Sequence, residues 1–502
     1  MFDNNILQTA LANISKNLAP VDYVVVLGYF ALTIIIGFIV GGNIKGIKEY
    51  AIGSRNFSPQ LFFPILLATV IATLIGASET VNLAERVFSV GIIYTITVTL
   101  SEVIIYLFIA HYIAPNIGKF VTDKTITMGN LMKQFYGEFG RYTTSITGTV
   151  FYLGLISVEL LALGVVINQL MGLDQRVSVV IGGLIMISYC TIGGIRAVTF
   201  TDVFQFIILM AAIPFAVAEI VKNSSVISEV LQAVPESHIK FWLRDDLADY
   251  ILLFITWLVP AYSLSPAIVQ RFFMTNDPKV LARMSYCVIV VKILIYILVS
   301  LVGLLALKQD SSLPFSNYAM SNMILTATPP LIKGFAIAGL IAIIMSTIDS
   351  MLNSSGILIT HDFIAPLVNK YRKPQSKKEF DELFWARAST IIIGLVAILI
   401  ALAPSNIMDV ILVALMFWNP VIVIPFIAGI LSLNAKPQCF KYSTIAVAIT
   451  AIVCWRAGGF EGNLLHINII LLLVNILVFF GAHWKLGPIE EGANRKKRLK
   501  NA

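Results

Sequence analysis

Apolar runs of about 20 residues, the length that crosses a bilayer core as a helix, recur along almost the whole chain. About thirteen can be marked, near 23–43, 61–83, 91–114, 145–171, 177–193, 200–221, 250–270, 285–307, 331–353, 385–403, 407–433, 441–456 and 464–483. Hydrocarbon offers no partner to a backbone N–H or C=O, so such runs fold as helices that satisfy themselves. With 58% hydrophobic and 13% charged residues the chain cannot be an ordinary globular protein, and the expected class is an all-α membrane protein.

Basic residues collect in cytoplasmic loops. With the N-terminus outside, about 25 of the 35 Lys and Arg fall on cytoplasmic segments, among them Arg271, the cluster from Lys370 to Arg387 and the tail 485–502. The odd span count agrees, giving N outside and C inside, in a plasma membrane, the inner membrane if the source is bacterial. The net charge of +7 then reflects topology, and the Arg495–Lys500 run reads as a solvated or headgroup-facing tail, without nucleic acid as partner. No cleaved signal is expected. Cys190, Cys287, Cys439 and Cys454 lack the spacing of a disulfide framework or metal site. The connection 222–249 reads as a solvated external cap.

Two runs are interrupted. One breaks at Gly76-Ala77-Ser78-Glu79-Thr80, the other at Pro260-Ala261-Tyr262-Ser263-Leu264-Ser265-Pro266. Counted from residue 61 they are the first and sixth helices of a ten-helix block. Two inverted five-helix repeats place their discontinuous helices there, with a site near the membrane midplane. The expected organisation is a single transporter domain, with repeats at about 61–221 and 250–433 and accessory helices at 23–43, 441–456 and 464–483. Ordinary Pro or Gly kinks are the competing reading.

Within 331–353 and just beyond, Ser346, Ser350 and Ser354 recur at helical spacing, with Thr347, Asp349 and Asn353 beside them. A single hydroxyl can be silenced by the carbonyl four residues earlier. The set, facing the freed carbonyls of a broken helix, has the oxygen chemistry that a hard monovalent cation needs. Asp202 follows Gly193-Gly194 and reads equally well as a functional acid or a helix cap. Glu79, Glu102, Glu159 and Lys292 also lie within spans, where a central charge costs about 2.5–3.5 kcal/mol on insertion scales. Such groups face inward or pair with one another, although Glu102 and Glu219 are close enough to span ends to reach the interface.

The stretches "GGIRAVTFTDVFQ" (193–205) and "IIMSTIDSMLNSSGILITHD" (343–362) resemble signatures of the sodium/solute symporter family. "ATLIGASE" (72–79), "VQRFFMTNDPKVLAR" (269–283) and "VKILIYILV" (291–299) are similar to it in the same order. The resemblance implies a sodium site built from the carbonyls of Ala72, Ile75 and Ile343 and the hydroxyls of Ser346 and Thr347. It further implies a second-ion or coupling role for Asp202, with Asp349 nearby, but the third hydroxyl such a site would use is Ile343 here. By position, Glu79, Glu159, Tyr262, Ser265, Lys292, Trp418 and Asn419 are the implied solute contacts. Glu79 and Glu159 either meet an ammonium group or pair with Lys292 and leave a neutral cavity.

The expectation is sodium-coupled symport of a small polar solute by alternating access. Sodium is the coupling ion, no cofactor is needed, and the protein is a monomer or weak homo-oligomer. Proton coupling through Asp202 or Glu159 is the runner-up, and a membrane solute sensor the third reading. An intramembrane enzyme finds no support in the scattered histidines, and a nucleotide-driven pump none in Gly41–Gly46, where Ile47 stands in place of the phosphate-loop lysine.

Overall fold

The computed structural model describes residues 18–489 except 42–43, 45, 54–58, 123–124, 224–233, 241, 243, 276, 310–318, 372–379, 404–406 and 459–463. The tail run Arg495–Lys500, and parts of the Lys370–Arg387 cluster, the Gly41–Gly46 segment and the 222–249 connection, lie outside the described residues. Every described element is helical. In chain order the principal ones are α1 (Pro20–Gly41), α2 (Pro59–Leu74), α3 (Val81–Val90), α4 (Ile92–Phe108), α5 (Met128–Met171), α6 (Gln175–Asn223), α7 (Leu247–Trp257) and α8 (Pro266–Phe272). There follow α9 (Pro278–Gln309), α10 (Ile332–Ile359), α11 (Glu382–Ala401), α12 (Ile407–Trp418), α13 (Pro437–Arg456) and α14 (Leu464–Leu486).

Among the described residues ten helices are long and apolar enough to cross a membrane. The apolar parts of α2 and α7, Leu61–Leu74 and Leu247–Trp257, fall short of that length. They are halves of the two interrupted spans, completed by α3 and α8. Expected spans 177–193 and 200–221 are two helices that meet without a loop at Gly194, φ 52° and ψ −160°, and α6 denotes the pair. The side chain of Tyr50 packs 2.4 Å from where a Cβ on Gly194 would stand, so conformation and space both require glycine.

Other boundaries differ from those expected. The span near 145–171 is preceded by helix from Met128, broken at Gly137, outside the range marked by hydropathy. The span near 331–353 runs on past its marked end through a π turn at Thr360–Ile364 and a helix to Tyr371. Apolar periodicity marks only the part of a helix that hydrocarbon surrounds, so polar extensions escape it.

The helix α10 is the axis of the molecule, buried by protein along almost its whole length. It packs chiefly on α6, α5 and α11, while α13 and α14 pack mainly on each other at the periphery. Close approach requires small residues: Gly339 of α10 faces Ala212 of α6, and a Cβ there would lie 2.4 Å from the alanine methyl. Hydrophobicity on all sides of α10 suits a helix enclosed by others. Its polar residues therefore can only face protein.

Candidate ion and solute site

Between Leu74 and Val81 the backbone leaves the helix, and two carboxylates take over its hydrogen bonds. The Gly76 N–H, which in a continuous helix would close on the Ala72 carbonyl, donates to Glu79 Oε2 at 3.1 Å. The Ala77 N–H, which would close on the Thr73 carbonyl, donates to both oxygens of Glu159 on α5, at 2.9 and 3.2 Å. The carbonyls so released turn toward α10. Ser346 Oγ is 2.8 Å from the Ala72 carbonyl and 2.8 Å from that of Ile343. Thr347 Oγ1 stands 3.4 Å from Ile75 O, 3.3 Å from Ile343 O and 3.5 Å from Thr73 O.

The five groups implied for sodium, Ala72, Ile75, Ile343, Ser346 and Thr347, thus converge on one buried spot. Thr73 O also accepts from Tyr262 Oη and Ile343 O lies within continuous helix, so the carbonyls that the break leaves to the two hydroxyls are those of Ala72 and Ile75. A small hard cation could sit among these oxygens, because hydroxyl and carbonyl oxygens can all turn lone pairs inward.

Asp202 does not cap a helix. It is buried within α6 and its Oδ2 accepts from Arg271 Nη2 of α8 at 2.9 Å, and from Thr69 of α2. Arg271 also donates to Ser350 Oγ of α10 at 2.6 Å and to Ala267 O at 3.0 Å. Counted above as a cytoplasmic loop charge, Arg271 is 0% exposed. The buried acid is neutralised inside the protein, and the pair joins the intact halves of both broken helices to α6 and α10. Asp349 receives Tyr189 Oη at 3.1 Å and Thr201 Oγ1 at 3.3 Å, both on α6, so it serves the α6–α10 contact.

Lys292 pairs neither with Glu79 nor with Glu159. Its Nζ lies 3.1 Å from Glu102 Oε1 of α4, and both residues are buried, so Glu102 does not reach an interface. Sequence spacing could not find this partner, because α4 and α9 lie far apart in the chain and charge type alone does not choose among three glutamates. Around the pair, Tyr106 Oη, Tyr296 Oη, Ser263 Oγ and Asn419 Oδ1 are buried without protein partners. Glu102, Tyr262, Ser263 and Asn419 also line a narrow cavity, of about 20 Å³, beside the second break. That is room for about one water in the state seen.

The second break is held by neutral groups. Trp418 Nε1 donates to Ala261 O at 3.0 Å while the indole stacks on Phe151. Tyr152 Oη accepts from Ala267 N at 2.7 Å, and Tyr262 Oη donates to Thr73 O at 3.0 Å, touching the first break. Ser265 is buried at the start of α8 without capping it. Asn419 opens a π turn directly after Trp418, at the foot of the cavity. Of the implied solute contacts, then, Tyr262, Lys292, Trp418 and Asn419 gather at the second break, whereas Glu79 and Glu159 belong to the first.

Discontinuous helices meeting near the centre of a buried bundle, with an oxygen cage at one break and a polar cavity at the other, define the class of secondary membrane transporters. The chain matches the sodium:solute symporter family over residues 50–436 and belongs to it. It is 25% identical over 424 residues to sodium/proline symporter 2 of Staphylococcus saprophyticus, covering 80% of this chain and 79% of that one. The sodium/proline symporter of Staphylococcus aureus strain JH9 is 26% identical over 406 residues, 76% of each chain. A Na+-coupled sialic acid symporter, solved substrate-bound and outward-open, superposes with a TM-score of 0.78 at 18% identity, covering 94% of this chain and all of that one. Mhp1, a nucleobase-cation-symport-1 family transporter, gives 0.55 at 14% identity, covering 87% and 96%. As a member of that family the protein is a multi-pass, sodium-coupled membrane transporter, and the relatives named are symporters rather than enzymes.

Proposed function

We propose that the chain carries one sodium ion with one small polar solute, narrowed by the charges at the second break to a zwitterion such as an amino acid. Sodium would sit among Ala72 O, Ile75 O, Ile343 O, Ser346 Oγ and Thr347 Oγ1, and the observation that carries the reading is the convergence of these oxygens. By bridging the end of α2 to α10, sodium favours the conformation that binds solute. A second sodium is not proposed, since Asp202 already holds Arg271 and Ile343 offers no hydroxyl. The solute would enter at the second break between Tyr262, Trp418 and Asn419, its carboxylate toward Lys292 and its ammonium toward Glu102 or Glu79. The name of the two staphylococcal relatives supports proline as the first candidate. The basic loops support an N-terminus outside and a C-terminus in the cytoplasm.

Uptake into proteoliposomes, driven by sodium or potassium gradients with a panel of amino acids, sugars and carboxylates, tests the reading. Ser346→Ala and Thr347→Ala are expected to raise the sodium concentration for half-maximal uptake at least ~10-fold, a cost of about 1.4 kcal/mol or more. Unchanged sodium dependence in both variants removes the site.

A further inference from the structure

Glu159 is the buried carboxylate that the ion site does not explain. It is 3% exposed, and among the described residues no Lys, Arg or His stands within ion-pair distance of it. By contrast Asp202 has Arg271 and Glu102 has Lys292. The charged or titratable groups that face Glu159 are Glu79 on the broken segment and Tyr262 at the second break, and neither is a cation. Its protein donors are the backbone N–H groups of Ala77 and Ser78.

The carboxylate is also a neighbour of the sodium cage. A Cβ added to Gly76 would stand 2.5 Å from Glu159 Oε1 and 2.9 Å from Thr347 Oγ1. The two oxygens therefore flank a single glycine hydrogen, no more than about 5.4 Å apart. A unit charge at such range in a buried site shifts the affinity of a cation by about two orders of magnitude. Gly76 itself is the residue that permits this approach, since any side chain would be driven into both oxygens.

We propose that Glu159 is a proton-binding site linked to the sodium cage, ionised when sodium is bound and protonated when sodium has left. The inference rests on the sodium reading above and adds a second transported ion to it. Sodium entering the cage displaces one proton from the Glu159 carboxyl to the side from which the sodium came. When sodium leaves on the other side, the carboxylate takes a proton there and carries it back with the empty transporter. One sodium moves one way and one proton the other, so a zwitterionic solute moves without net charge.

The test uses the full-length protein purified in detergent, with sodium chloride added against a potassium chloride control in weakly buffered solution containing a pH indicator. Thermal stability is titrated with sodium at pH 6, 7 and 8 in parallel. The wild type is expected to release up to one proton per sodium bound, and its half-saturating sodium concentration to fall as pH rises, by up to ~10-fold per unit while the carboxyl titrates. Glu159→Gln keeps an acceptor for the Ala77 N–H and is expected to bind sodium with no proton release and no pH dependence. Glu159→Asp retains an ionisable group and is expected to keep both. Sodium binding that Ser346→Ala abolishes, but that releases no proton and ignores pH in the wild type, overturns the proton site and leaves the sodium site standing. Release that persists in Glu159→Gln also overturns it. Wild-type sodium binding in Ser346→Ala overturns the sodium site, and with it the linkage.

Discussion

The two broken helices are related by position in their repeats, yet their gaps are closed by opposite chemistry. At the first, carboxylates of Glu79 and Glu159 hold the loose N–H groups, and the freed carbonyls face hydroxyls of α10. At the second, a tryptophan N–H and two tyrosine hydroxyls do the holding, and the charge, Lys292 with Glu102, is already balanced. A gap held by anions and lined with carbonyl and hydroxyl oxygens is suited to a cation. One held by neutral aromatic groups beside an exchangeable ion pair is suited to a solute whose polar groups can replace those contacts. The division of labour between ion and solute follows from which side chains replace the missing helix turns.

Arg271 is where the comparison can be broken most severely, because it fastens the intact halves of both helices to Asp202 and Ser350. Asp202→Asn leaves a guanidinium buried without a counter-charge, a loss of about 3–5 kcal/mol. Thermal unfolding in detergent should show a large fall in midpoint for Asp202→Asn and a much smaller one for Glu159→Gln, which strands no cation. Equal falls would mean that the two acids play the same structural part. Replacing both Asp202 and Arg271 by apolar residues of similar size should recover much of the lost stability while impairing turnover, since the pair is then absent and no longer half-present.

Much of this was legible in the sequence, but unevenly. The spans, both breaks and the Ser346–Thr347 wall could be read because hydropathy, helix-breaking residues and helical spacing are local properties. The pairing of charges could not. Arg271 reads as a loop residue because its span ends in apolar residues just before it, and only the packing of α8 among α2, α6 and α10 buries it. The Lys292–Glu102 pair is likewise a contact between α4 and α9, which no spacing records. Glu159 was visible as an expensive acid, but its closeness to the cage depends on Gly76 having no side chain.

Intermediate effects should separate the breaks. Trp418→Phe keeps the stack on Phe151 and removes the hydrogen bond to Ala261 O, worth about 0.5–1.5 kcal/mol. Solute affinity should fall a few-fold, roughly 2- to 10-fold, with the half-saturating sodium concentration unmoved. A sodium shift as large as the solute shift would erase the distinction between the two gaps.

The smallest expected effect is the most informative about coupling. Tyr262 belongs to the second break, but its hydroxyl donates to Thr73 O, the carbonyl that Glu159 frees at the first. That bond passes from the solute cavity to the edge of the sodium cage, so solute and sodium each bias one end of it. Tyr262→Phe removes the hydroxyl and little else, and should change either affinity alone by no more than about 1 kcal/mol. What it should diminish is the dependence of one on the other. In the wild type, raising sodium is expected to tighten solute binding by about 5- to 150-fold, and in Tyr262→Phe by a smaller factor. By linkage, solute must then tighten sodium by the same reduced factor, so isothermal titration in both directions supplies an internal check. If both factors stay at the wild-type value, the two gaps communicate through α10 and the Arg271 network rather than across Tyr262.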